Sequence, residues 1–184
     1  MRKLILITGC PASGKTTFAK KLSSELNIPY FSKDLIKISL AEYIQIAKQE
    51  ESTRLSKATV SAMLSIAESL MSVEQPFILE ANFRQHEGNA IEKLLTKYDY
   101  RCLTYFFGGD FKVLGKRFVE RDFTSERHKA NRMFNPVMNY DEYEELFKEY
   151  RMFTTGDHIV PVDTTSFDGV DFDELMQIAV NELA

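Results

Sequence analysis

Apolar positions along the chain fall into short continuous runs that alternate with longer stretches of helical spacing. Leu4-Ile5-Leu6-Ile7 is uninterrupted and sits between Arg2-Lys3 and Thr8-Gly9, the pattern of a strand buried on both faces. Lys15 to Leu26 follows with Phe18, Leu22 and Leu26 on one face of a predicted helix. Pro29 breaks the pattern, Tyr30-Phe31 reads as a second strand, and Ser32 is placed to cap a helix that opens with Lys33-Asp34. Helical spacing then runs from Asp34 to about Lys48 and from Thr53 to Val73. Phe77-Ile78-Leu79, ending in Glu80, is a third strand.

The alternation continues to the end of the chain. Glu87 to Tyr98 is a helix, Arg101 to Phe107 a fourth strand, and Phe111 to Val119 another helix. Arg121 to Arg132 is polar and basic with little periodicity, and Asn135-Pro136 closes it. Asp141 to Arg151 is helical. His158 to Val162 is a fifth strand whose Pro161 suits only a sheet edge. Phe172 to Leu183 is the last helix. Strands alternating with helices predict βαβ units, hence an α/β architecture with a parallel sheet between helical layers. With 184 residues, no repeat and no linker, the expectation is a single domain over 1–184.

Composition narrows the functional classes only modestly. Twenty-seven acids against 23 Lys and Arg give a net charge of -4, which disfavours a sequence-independent nucleic-acid binder. Cys10 and Cys102 form neither a disulfide framework nor a metal-type spacing. No stretch approaches the ~18 apolar residues of a membrane span. A cytoplasmic protein without membrane attachment is expected.

The chemistry is concentrated in the turn after the first strand. Gly9-Cys10-Pro11-Ala12-Ser13-Gly14-Lys15-Thr16 matches G-x-x-x-x-G-K-[ST] at every specified position, between a buried strand and an amphipathic helix. Gly9 and Gly14 permit backbone angles and close approaches that a side chain would block. The loop amides and the helix start then face phosphate oxygens. Gly9 through Thr17 are therefore the expected nucleotide-binding residues, with Lys15 reaching the outer phosphates and Thr16 offering its hydroxyl to Mg²⁺. ATP and Mg²⁺ are the expected cofactors. Cys10 needs no redox role, since a small residue suffices there.

Other polar residues select among phosphate chemistries. No guanine-reading N-K-x-D follows a later strand, which argues against a regulatory GTPase. Asp34, just past the second strand, is the candidate general base for an attacking hydroxyl. Lys37, three residues on, would hold the acceptor or orient Asp34. Glu80 and Asn82 follow the third strand, where open α/β sheets bind ligands, and Glu80 is a candidate for Mg²⁺ or the acceptor. Arg117 and Arg121, at i and i+4, with Arg127, His128 and Arg132 beyond them, predict a basic lid over about 117–136. Among these, His128 reads as a cap or packing residue. The helical region 34–73 is expected to build the acceptor side, with Tyr43, Gln45 and Arg54 as candidate contacts.

Taken in order, Gly9 to Thr16, Ser32-Lys33-Asp34 with Lys37, Leu79-Glu80-Ala81-Asn82-Phe83, Arg117 with Arg121, Arg127-His128 and Val162-Asp163-Thr164 resemble the P-loop kinases. That group includes bacteriophage-type polynucleotide 5′-hydroxyl kinases, zeta toxins and chloramphenicol phosphotransferase. The resemblance spans almost the whole chain. It implies the three-layer P-loop NTPase fold with five parallel strands and kinase-like topology. Lys15, Asp34, Arg117 and Arg121 would be catalytic, Thr16 and Glu80 would serve the metal, and Asp34, Lys37, Glu80 and Asn82 would meet the substrate. Lys37 stands where polynucleotide kinases typically have an arginine beside the acceptor, and Glu80 where they have an aspartate. Lysine cannot grip a phosphate bidentately, which weakens the polynucleotide reading. ATP-dependent phosphorylation of a small-molecule hydroxyl leads. Polynucleotide or nucleotide-sugar phosphorylation and a nucleotide-gated ATPase without an acceptor stay open.

Overall fold

A computed structural model describes residues 2–122, 124, 127–132 and 137–183. At its centre is β1 (Lys3–Gly9), whose Leu4 to Ile7 are almost completely excluded from solvent. β2 (Tyr30–Ser32), β3 (Phe77–Glu80), β4 (Arg101–Gly108) and β5 (His158–Asp163) join it in a five-stranded sheet of order β2-β3-β1-β4-β5, with every pairing parallel. Pro161 lies on the edge strand, where a missing N–H breaks no inner ladder.

Side chains of a strand alternate between faces, and β1 feeds two cores. Leu4 and Leu6 join Phe77 and Leu79 beneath α3 (Gln49–Ser72) and α4 (Gln85–Tyr98), represented by Met63, Met71 and Ile91. Ile5 and Ile7 face the other way, against Phe18 and Leu22 of α1 (Lys15–Leu26) and Leu175 and Ala179 of α7 (Phe172–Leu183). Helices on both faces are the reason that β1 and β3 read as unbroken apolar runs. A third, smaller cluster joins Cys10 to Phe111, Leu114 and Phe118 of α5 (Phe111–Asp122) and Tyr143 of α6 (Tyr140–Phe147).

Several boundaries differ from the sequence expectation. α2 covers Lys33–Ala41 and does not continue to Lys48. Tyr43 is 89% exposed and Ile44 47%, so further turns would bury little apolar surface in return for ordering the backbone. α3 begins four residues before the expected Thr53, where the Glu51 carboxylate accepts from the Ala47 amide at 2.8 Å. Ser32 occupies the N-cap position of α2, but its hydroxyl makes no cap bond and donates instead to Glu80 Oε2 at 2.6 Å. The helix expected over Asp141 to Arg151 ends at Phe147 and tightens into a 3₁₀ turn, Lys148–Met152. Asn135-Pro136 lies outside the described residues, as do 123, 125, 126, 133 and 134 of the expected lid.

β2, β3 and β1 end on the same rim. Ser32 is level with Glu80, and Ile7 with both Glu80 and Tyr105. The chain leaves β1 through Gly9 at φ 118°, where a Cβ would lie 2.0 Å from the Phe107 carbonyl oxygen. Replacing Gly9 with alanine combines backbone strain with a clash against main chain. Gly9→Ala is expected to cost about 2–4 kcal/mol, read as a lower midpoint in urea unfolding at unchanged slope.

Candidate active site

The turn after β1 is built on short internal bonds. The Cys10 amide donates to Phe107 O at 2.8 Å, the Ser13 hydroxyl to Cys10 O at 2.7 Å, and the Lys15 ammonium to Cys10 O and, at 3.3 Å, to Ser13 Oγ. Ala12 at φ 59° and Gly14 at φ 86° complete the curl. The amides of Ala12 and of Gly14 through Thr16 find no acceptor among the described residues. Amides left open at a helix start form a site for anions.

These residues line a cavity of about 300 Å³, together with Lys33, Asp34, Ser56, Glu80, Asn82, Phe118, Arg121, Arg127 and Phe147. Lys15 is 5% exposed. Burial lowers its pKa to about 8, against the opposing pull of Glu80. Glu80 is equally buried, accepts from Thr16 Oγ1 at 3.2 Å and Ser32 Oγ at 2.6 Å, and makes no ion pair among the described residues. Burial raises its pKa, with Lys15 and the Ser32 hydroxyl acting against the rise. A buried carboxylate beside a hydroxyl is an all-oxygen pair suited to Mg²⁺. Among the described residues no group of three or more His, Cys, Asp or Glu forms a metal cage. The Thr16 hydroxyl and the Glu80 carboxylate fit a cation that keeps waters and shares a ligand's phosphates.

Asp34 opens onto the same cavity from the first turn of α2, 3.9 Å from Arg127 Nη1. Asn82 also lines it. Lys37 does not. It is 7% exposed and donates to Ser52 Oγ at 3.0 Å between α2 and α3, with burial lowering its pKa. The two lid arginines diverge as well. Arg121 lines the cavity, and its buried Nε has no hydrogen-bond partner among the described residues. Arg117 turns to the loop after β5, donating to the carbonyls of Thr164 and, at 3.0 Å, Thr165, with its guanidinium 4.3 Å from the Phe167 ring centre.

Arg127 holds a more central position than its sequence context indicates. Its Nε lies 2.9 Å from the buried Asp122, and its Nη2 donates to Asn131 O at 2.7 Å, so a cation from the basic stretch is pinned beside Asp34. Helical spacing does not mark this pair, since Asp122 and Arg127 stand five positions apart. His128 caps a 3₁₀ turn, its Nδ1 accepting from the Ala130 amide at 3.2 Å. Arg132 is tied to the carbonyls of Arg127 and Thr124. Tyr43 and Gln45 line a different cavity, with Lys129 and Ala130. Arg54 is exposed on α3.

A family model described as an AAA domain matches residues 4–135. The chain belongs to this family. No curated protein matches it. Among solved structures, a candidate kinase from Chloroflexus aurantiacus superimposes with a TM-score of 0.79 at 24% identity, covering 98% of this chain and 95% of its own. Kti12 from Chaetomium thermophilum, solved with ADP-AlF3, gives 0.68 at 17%, covering 98% and 99%. Shikimate kinase from Bacteroides thetaiotaomicron gives 0.60 at 16%, covering 98% and 97%. At these identities the likeness is one of fold, and it establishes a P-loop kinase-like α/β architecture over nearly the whole chain. Among the described residues no helix is long and apolar enough to cross a membrane.

The depressed Lys15 pKa carries a sign that binding can test. Above pH 8 the ligand-free protein loses the ammonium, and a bound polyanion must draw a proton back to restore it. Polyphosphate affinity should hold steady up to about pH 8, then fall at a slope approaching tenfold per pH unit. Calorimetry between pH 7 and 9.5, in buffers of different ionisation enthalpy, should show proton uptake on the falling limb only.

Proposed function

We propose that the protein is an ATP-dependent phosphotransferase that moves the γ-phosphoryl group to a hydroxyl of a small-molecule acceptor. The observation that carries this reading is the presence of Asp34 in the same cavity as the open amides of the Gly9–Thr16 turn. A carboxylate within reach of a phosphate cradle is what hydroxyl-directed phosphoryl transfer requires, and simple nucleotide binding does not call for it.

In this reading the amides from Ala12 to Thr16 and the Lys15 ammonium hold the phosphate chain in line with the acceptor. Thr16 and Glu80 would hold Mg²⁺, which when bound neutralises charge on the phosphates. Asp34 accepts the hydroxyl proton as the acceptor oxygen bonds to the γ-phosphorus. The bond from that phosphorus to the β–γ bridging oxygen breaks, and ADP leaves with the electron pair. Arg121 and Arg127, both on the cavity wall, offset negative charge on the transferring group. Arg117, held by two carbonyls, braces the loop after β5.

One observation favours a small acceptor over a polynucleotide: Lys37, at the position of the polynucleotide kinases' acceptor arginine, is spent on Ser52. Incubating the protein with γ-labelled ATP and a metabolite extract should transfer label to a small organic product. Label appearing only as inorganic phosphate would overturn the reading. Asp34→Asn is expected to lower transfer by about 10²–10⁴-fold with nucleotide affinity unchanged. Arg121→Ala should lower kcat by about 10²–10³-fold, as expected for a group that acts on charge developing during transfer.

A further inference from the structure

Tyr143 lies outside every motif, yet its side chain ends on the phosphate-binding turn. It is 0% exposed, and its hydroxyl donates to the Pro11 carbonyl at 2.7 Å. Its ring is wedged among Phe111, Phe118 and Phe147, with ring centres 5.6, 5.5 and 4.9 Å away. Phe118 and Phe147 also line the cavity, so this aromatic cluster is the wall behind the cradle. α6 can come this close because residue 115 of α5 is glycine. A Cβ there would meet Tyr140 Cα at 3.0 Å and Tyr143 Cβ at 3.3 Å.

The Pro11–Ala12 peptide is trans, since no cis bond occurs among the described residues. In a planar trans peptide the C=O and the following N–H point in opposite directions. A hydroxyl that holds the Pro11 oxygen on the aromatic side therefore turns the Ala12 N–H away from it. Ala12 sits in the left-handed region at φ 59°, where a residue with a side chain is strained, and its amide has no acceptor among the described residues. Both features would relax if the peptide rotated. The hydroxyl opposes that rotation, and its apolar surroundings keep water from competing for the carbonyl. Burial raises the Tyr143 pKa, which keeps the group protonated as a donor.

We infer that Tyr143 is a positioning residue for the phosphate cradle: its bond to the Pro11 carbonyl aims the Ala12 amide at a phosphate oxygen of the bound nucleotide. The same aromatic packing seats α5, which carries Arg121, so one cluster aligns the cradle with a charge-offsetting arginine. This rests on the reading of the cavity as a nucleoside triphosphate site.

The probes are MgATP and inorganic tripolyphosphate, measured by calorimetry on the full chain, with urea unfolding run in parallel. Tyr143→Phe keeps the ring and removes only the hydroxyl. It should weaken both ligands by about tenfold, the upper end of a single lost hydrogen bond. A purely structural role would lower the unfolding midpoint and leave affinity untouched, and that result overturns the inference. Ala12→Gly supplies the second arm, because glycine adopts positive φ without strain. Added to Tyr143→Phe, it should recover part of the lost affinity, and no recovery also overturns the inference. If the unaltered protein binds neither probe, the triphosphate site itself is wrong, an outcome distinct from equal binding by the protein and its Tyr143→Phe variant.

Discussion

At the carboxyl end of β1 the Gly9 backbone runs against the Phe107 carbonyl so closely that no side chain fits between them, and the Cys10 amide bonds to that same oxygen. This contact joins the first turn to β4 and sets where the turn can begin. From there Cys10 O gathers Ser13 and Lys15, the curl closes through Ala12 and Gly14, and four amides are left without acceptors among the described residues. Open amides at a helix start are suited to an anion's oxygens. The parallel sheet then brings Glu80 and Asp34 to the same rim.

The cavity is electrostatically lopsided in a way that matches a polyanion. Lys15, Lys33, Arg121 and Arg127 face Asp34 and Glu80. Burial works against the charge on Lys15 and on Glu80, lowering one pKa and raising the other. Each charged form is favoured when an opposite charge arrives, phosphate for the lysine and a divalent cation for the carboxylate. Arg121 makes no ion pair among the described residues, while Arg127 already shares Asp122. The arginines thus differ in what each has free to offer a ligand.

Local rules made much of this legible before any coordinates. Continuous apolar runs marked strands covered on both faces, and Pro161 marked the edge. The glycine spacing located the cradle because its chemistry depends on backbone reach within eight consecutive residues. Asp34 was visible because it follows a strand end directly. Where the other side chains come to rest has a different origin. Lys37 is one turn from Asp34 along the helix, but which way a long side chain leans depends on α3, where Ser52 accepts from it. Arg117 and Arg121 share a helical face by spacing, yet the loop after β5 captures the first and leaves the second to the cavity. Helix α2 stops early, just before Tyr43 and Ile44, which stand exposed.

The amino-acid sequence alone determined the order of strands and helices, the parallel sheet and the phosphate-binding turn, since each follows from residues close together along the chain. Only the tertiary structure decided which cations line the cavity, that Arg127 stands between Asp122 and Asp34, and that Tyr143 reaches Pro11 across 132 positions. Such contacts depend on how α5 and α6 pack on the rim, and that packing is set by volume and closeness at places like Gly115. Spacing along a chain carries periodicity, whereas the partner of a side chain is chosen by whatever the fold brings within a few ångströms.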